Sequence, residues 1–241
     1  MKRPARLLWL IPTLALGGVF WLIIFRKSPA PPEVIRATVA SRVQEFGLSA
    51  DARLRPDFER ASAPYPPSRF AIWIFKAEKR LELYAPDSSG QMRWIKSYPI
   101  LAASGISGPK LREGDLQVPE GFYAIESLNP NSRFHLSLRI NYPNAEDRAR
   151  AAAEGRDLEN LGGDIMIHGG AVSIGCLAMG DPAIEEIFIL AARTGHEAID
   201  VFLSPVDFRS GAGLPDHGSE WVGEIYRRLR SELERYPESG S

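Results

Sequence analysis

Cysteine is almost missing from this chain: one in 241 residues, Cys176. A single thiol cannot close an intrachain disulfide, and the lack of a Cys-x-x-Cys pair excludes a dithiol redox motif. Histidine is scarce as well. The four histidines stand scattered at 135, 168, 196 and 217, whereas zinc needs three or four nitrogen or sulfur ligands close together. His168 and Cys176 supply two, so neither a metal nor another cofactor is expected. An excess of positive charge is also absent: 29 Lys+Arg face 30 Asp+Glu, a formal charge of −1. Setting aside the five basic residues of the first 27 leaves 24 against 30, or −6. Nucleic acid finds no electrostatic footing on such a surface and is not expected as a partner. No internal repeat is present.

The chain does have one long hydrophobic run. Leu7 to Phe25 carries no charge, between Lys2, Arg3 and Arg6 on one side and Arg26-Lys27 on the other. As a helix it would rise roughly 28 Å, about a bilayer core, with Trp9 and Trp21 towards its ends, where indoles favour the interface. The run exceeds the h-region of an ordinary signal peptide, and no small-x-small cleavage site precedes a boundary. Residues 1–27 therefore read as a membrane anchor, with a cleaved signal as the alternative. The charge bias puts the N-terminus inside. The expected location is the inner membrane, with the rest of the chain on the periplasmic, extracytoplasmic side. Exported and alone, Cys176 is buried and inert, paired between chains, or a working thiol.

Beyond the anchor, Ser28-Pro-Ala-Pro-Pro32 is a stiff spacer, and residues 28–66 read as a Pro-containing linker with short helices. The texture changes after Pro64-Tyr-Pro-Pro67. Phe70-Ala-Ile-Trp-Ile-Phe75 and Arg80-Leu-Glu-Leu-Tyr84 form a hairpin signal around Lys76-Ala-Glu-Lys79. Further strands are expected at 94–101, 121–125, 134–140, 164–168 and 198–203. Many short strands with Gly/Pro turns predict a mainly β sandwich or barrel over 67–209. A few peripheral helices interrupt it: 145–155, one opened by Asp181 as N-cap and Pro182 as N1, and an amphipathic one in the tail, 210–241, capped by Ser219. Trp221, Ile225, Leu229 and Leu233 recur every four residues there and predict packing against the same domain.

The chemistry gathers at Ile167-His-Gly-Gly-Ala-Val-Ser-Ile-Gly-Cys-Leu-Ala-Met179. His168 ends an apolar strand, Gly169-Gly170 turns the chain, and Cys176 lies in a loop before the Asp181 helix. A free thiol is mostly protonated at neutral pH, and an imidazole within reach can take its proton and hold an ion pair. Asp164 or the Ser173 hydroxyl would orient that imidazole. Backbone N–H groups near Gly175, Cys176 and Leu177 would face an oxyanion. The pattern suits acyl transfer through a thioester, although a lone cysteine among small and apolar residues is more often a buried, inert one. His135, in an alternating strand, is expected to be structural.

This run resembles the signature of L,D-transpeptidase (YkuD-type) catalytic domains, particularly their YafK-like branch. The likeness extends to Phe75-Lys-Ala-Glu-Lys-Arg-Leu-Glu-Leu83 and to Gly114-Asp-Leu-Gln-Val-Pro-Glu-Gly-Phe-Tyr123, with Val118 where Thr is usual. It also takes in Asn141-Tyr-Pro-Asn-Ala-Glu-Asp-Arg148, for a coverage of roughly 54–204. The resemblance implies the family's β-rich fold, Cys176 as nucleophile and His168 as proton acceptor and donor; Ser173, Gly175 and Gly169 are expected beside them in support of the nucleophile or oxyanion. It implies peptidoglycan stem peptides as substrate, attacked at the third, dibasic residue with D-alanine leaving. A wall-attached lipoprotein is a further possible partner. One departure stands out: Ile174 occupies the place of the family's usual second histidine and has no hydrogen bond to offer. That leaves open a transpeptidase, a hydrolase releasing stem peptides or lipoprotein by the same thioester, and a non-catalytic wall-binding module.

Overall fold

The computed structural model describes residues 36–173 and 175–238. The apolar run at 7–25 and Ile174 lie outside the described residues, so the expected anchor and the effect of that isoleucine are not seen. Among the described residues no helix is long and apolar enough to cross a membrane.

Four α-helices are present among those residues: α1 Val39–Arg60, α2 Ala145–Ala153, α3 Asp181–Thr194 and α4 Glu220–Leu233. The first five strands are β1 Phe70–Phe75, β2 Arg80–Pro86, β3 Met92–Pro99, β4 Ala102–Ala103 and β5 Gly121–Ser132. The others are β6 His135–Ile140, β7 Met166–His168, β8 Leu177–Ala178 and β9 Ile199–Ser204. They form one nine-stranded sheet in the order β3-β2-β1-β9-β5-β6-β7-β8-β4. Its two edge strands are joined by only Ile100 and Leu101. Three Cα steps span at most about 11 Å, so the edges must come together and the sheet curls almost into a barrel. Ile100 N–H donates to the Lys79 carbonyl (2.7 Å) and Leu101 N–H to that of Ala178 (2.8 Å), tying the link to both ends of the order. The mainly β expectation is met by one curled sheet.

β1 explains why its sequence runs apolar without alternating. Phe70, Ile72 and Ile74 point into the main core, while Ala71, Trp73 and Phe75 join a second core on the other face; strands covered on both faces lose the polar half of the pattern. The second core is closed by Val222, Ile225, Tyr226, Leu229 and Leu233 of α4. The packing is that expected for the stripe, with Trp221 only partly buried beside the cluster. Ser219 stands at the N-cap but makes no side-chain cap bond.

The expected linker is corrected. Instead of short helices, α1 is a single helix of 22 residues, started by a capping box between Thr38 and Ser41, with Pro56 inside. Its Ala50, Leu54 and Phe58 belong to the main core, and Asp51 takes a bidentate bond from Arg193 of α3 at 2.8 and 2.6 Å. The folded unit thus begins at Ala37, thirty residues before the expected boundary at 67.

Candidate active site

β7 pairs antiparallel with β6 and parallel with β8, in the register Ile167↔Leu177 and His168↔Ala178. Ile167 and Leu177 point into the main core. By strand alternation their neighbours His168 and Cys176 fall on the opposite face. Cys176 immediately precedes β8, and carrying the register back by one residue makes it a diagonal neighbour of His168, a relation that places Cα atoms about 8 Å apart. The turn after His168 is tight: a Cβ on Gly169 would lie 2.6 Å from Asp181 Oδ1 and 2.7 Å from the Phe134 carbonyl oxygen. Asp181, expected to cap α3, instead accepts the Gly170 N–H at 2.8 Å, and α3 starts with no side-chain cap bond. The carboxylate therefore fixes the turn that presents the histidine.

His168 is buried, its ring 4.6 Å from that of Phe134. Nδ1 lies 2.6 Å from the Gly169 carbonyl oxygen. A carbonyl only accepts, so Nδ1 carries the proton and Nε2 keeps a lone pair for use as a base. Burial lowers the imidazole pKa, and the Gly169 carbonyl opposes that shift. The expected orienters are not found at this ring. The Asp164 carboxylate is on the surface, paired with Arg139 at 2.9 Å, and the Ser173 hydroxyl accepts the Cys176 N–H at 2.9 Å. Gly169 thus orients the imidazole through its carbonyl.

The Cys176 thiol donates to the Asp164 carbonyl at 3.4 Å. Asp164 reaches that position with a φ of 54°, a left-handed conformation that Asp tolerates better than most residues. Two of the amides expected to face an oxyanion are occupied: Cys176 N–H by Ser173, and Gly175 N–H by Ser104 Oγ at 2.6 Å. Ser104 Oγ in turn donates to the Leu116 carbonyl at 2.8 Å, joining the Cys176 loop to the strap at 104–118. Burial raises the thiol pKa; the Met166 amide lowers it, the Asp164 carboxylate raises it, and the Lys110 ammonium lowers it. Both groups therefore rest neutral, not as the expected ion pair. Among the described residues no hydrogen bond joins their side chains.

The sulfur opens on a groove of about 190 Å³, walled by Lys110, Glu113 and Leu116 of the strap and by Gly163 and Asp164. Lys110 is buried and donates to the Arg112 carbonyl (2.8 Å) and to Asp115 (2.7 Å). Asp115 also accepts the backbone N–H groups of Leu111, Arg112 and Gln117, so this one carboxylate shapes the strap. Sequence reasoning found Asp115 only as part of a motif and missed Lys110, Ser104 and Phe134. Of these, Lys110 alone left a trace, as the cation four residues before Gly114-Asp115. Among the described residues no group of three or more His, Cys, Asp or Glu side chains could hold a metal.

The arrangement is a curled β sheet with a histidine at the end of one strand and a cysteine just before the next. Residues 69–199 match the family model of the L,D-transpeptidase catalytic domain (YkuD), and the chain belongs to that family. It is 45% identical over 165 residues to YafK of Escherichia coli (strain K12), by name an L,D-transpeptidase. The match takes in 66% of this chain and 63% of that relative, so the chain spans less than two thirds of its length. Among solved structures it is similar to the helical cell shape determining protein Pgp2 of Campylobacter jejuni, with 18% identity, 77% of each chain covered and a TM-score of 0.46. For Mycobacterium tuberculosis L,D-transpeptidase 1 the identity is 11%, the coverage 56% and 61%, and the TM-score 0.32.

Proposed function

We propose that this protein is a cysteine acyltransferase of the cell wall, held at the inner membrane by residues 7–25, that opens peptidoglycan stem peptides through a thioester on Cys176. The observation that supports this reading is the Nδ1 bond of His168 to Gly169, which leaves Nε2 free to act as a base, with Cys176 diagonal to it in the β7–β8 register. As Sγ attacks the carbonyl of the third stem residue, its proton passes to Nε2. The imidazolium then protonates the departing D-alanine amine, and the C–N bond breaks to leave the thioester. An incoming amine loses its proton to the imidazole, takes the acyl group and restores the thiol. The positive Lys110 beside the groove favours the sulfur as it becomes anionic.

Water can replace the amine. The absence of a hydrogen-bonding side chain at Ile174 favours this second outcome, because nothing at that position would hold an acceptor amine. The lipoprotein-releasing form of the reading follows the same steps. Both rest on one experiment. Wild-type protein incubated with a carbapenem should gain the mass of one adduct, and Cys176→Ala should gain none. An equal adduct on the variant ends the assignment. Products from sacculi given the same two proteins separate the outcomes: new 3→3 cross-links mean transfer, and free stems or released protein mean hydrolysis.

A further inference from the structure

The strap that walls the Cys176 groove also backs a second and larger cavity, about 550 Å³, whose lining includes Ile106, Pro109, Leu111, Arg112, Arg156 and His217. This volume lies in the range of small-molecule sites. Nothing in the reaction just described uses it.

Its charges are unequal in availability. Asp115 is saturated by Lys110 and three backbone amides. Asp157, also in the wall, accepts the Glu159 N–H at 3.0 Å as a cap. Arg156 is partly engaged, with Nε on Glu154 at 2.7 Å and Nη1 on the Leu111 carbonyl at 3.0 Å. The guanidinium of Arg112 makes no hydrogen bond or ion pair with any described residue, and the residue is exposed. His217 lies against Gly108, where a Cβ would be 2.6 Å from its Nε2. A free guanidinium beside an apolar wall suits a carboxylate on an aliphatic arm: the fork binds both oxygens, and Ile106, Pro109 and Leu111 take the methylenes.

We infer that this cavity is a carboxylate subsite, in which Arg112, with Arg156 beside it, reads a free carboxylate of the peptide whose scissile carbonyl lies at Cys176. The identity of the ligand as a wall peptide rests on the proposed function; the site itself rests on the cavity and its unpaired cation. Arg112 is then a specificity residue. Its side chain holds no part of the fold, since the bonds to Lys110 and Asp115 use its backbone.

The test measures binding without turnover. In the Cys176→Ala protein, calorimetry compares a diaminopimelate-containing stem tetrapeptide with the same peptide carrying amidated carboxylates. One lost charge-assisted bond weakens binding about tenfold or more. The amidated peptide should show that rise in Kd, and adding Arg112→Gln should weaken the free acid to the same level, leaving the two peptides equal. Equal affinity of both peptides before Arg112 is changed, unaltered discrimination after it, or no binding of either would overturn the subsite. Turnover of sacculi by the thiol-bearing protein is scored separately, so failure of the chemistry and failure of the subsite give different results.

Discussion

A thiol raised by burial and an imidazole lowered by burial are both uncharged at neutral pH, and that decides how Cys176 reacts. A small alkylating agent needs the thiolate, so iodoacetamide labelling of Cys176 should rise with pH about a midpoint above the ordinary thiol value of about 8.5. Acylation by substrate can instead use Nε2 of His168 and should stay fast down to the ordinary imidazole value of about 6.5 and somewhat below it. The sign for stability follows from the same shift. The unfolded chain binds the His168 proton more readily than the folded one, so stability falls as pH drops through that window. A labelling midpoint below pH 7 would mean a resting thiolate–imidazolium pair and would remove base-assisted attack. His168 and Cys176 were legible in the sequence because the proposed chemistry asks for those residue types. The Gly169 carbonyl was not, since a backbone atom leaves no mark on residue type. Asp164 looked the better orienter for the opposite reason: its carboxylate is visible in a sequence, and its pairing with Arg139 across the sheet is not.

Among the elements, the strap depends on an ion pair that no local pattern announces. Lys76, just past β1, meets Glu120, just before β5, at 2.9 Å, with both side chains almost wholly buried. Lys76 also donates to the Gly108 and Val118 carbonyls at 2.9 Å each. Glu120 accepts the Gly108 N–H at 2.9 Å and the Tyr226 hydroxyl of α4 at 2.5 Å. Burial lowers the Lys76 pKa and Glu120 opposes that shift, so the carboxylate is what favours the charged ammonium here. Glu120→Gln keeps the hydrogen-bonding shape but leaves a buried cation without its partner. It should cost about 3 kcal/mol in urea unfolding; a loss under about 1 kcal/mol would mean the strap is held by other contacts. The strands that flank this cluster could be read from their apolar runs, while β4 and β8, of two residues each, could not. Elements that short exist only because neighbouring strands supply their partners.

At the scale of the whole molecule, the most consequential departure from the sequence reading is α1. Its polar composition reads as a linker because only a narrow stripe is buried: Gly47, Ala50, Asp51, Leu54 and Phe58. That stripe nevertheless closes the main core, and the family match, which starts at residue 69, does not include it. Leu54 and Phe58 are at most 1% exposed. Removing groups of that kind costs about 2–5 kcal/mol for a leucine and 3–5 kcal/mol for a phenylalanine, against a total stability of roughly 5–15 kcal/mol for a domain. Loss of the helix would also strand Arg193 without Asp51 and take Arg53 from the buried Glu186, which would keep only Lys96 and Tyr98. A protein cut to begin at Pro67 should therefore fail to melt cooperatively and should aggregate. One that begins at Arg36 retains Thr38 and its capping box and should unfold in a single transition with Cys176 still open to acylation. Circular dichroism melts of the two, with adduct mass as the second readout, decide the matter. A cooperative transition in the shorter protein, within a few degrees of the longer one, would show that α1 merely rests on a core complete without it.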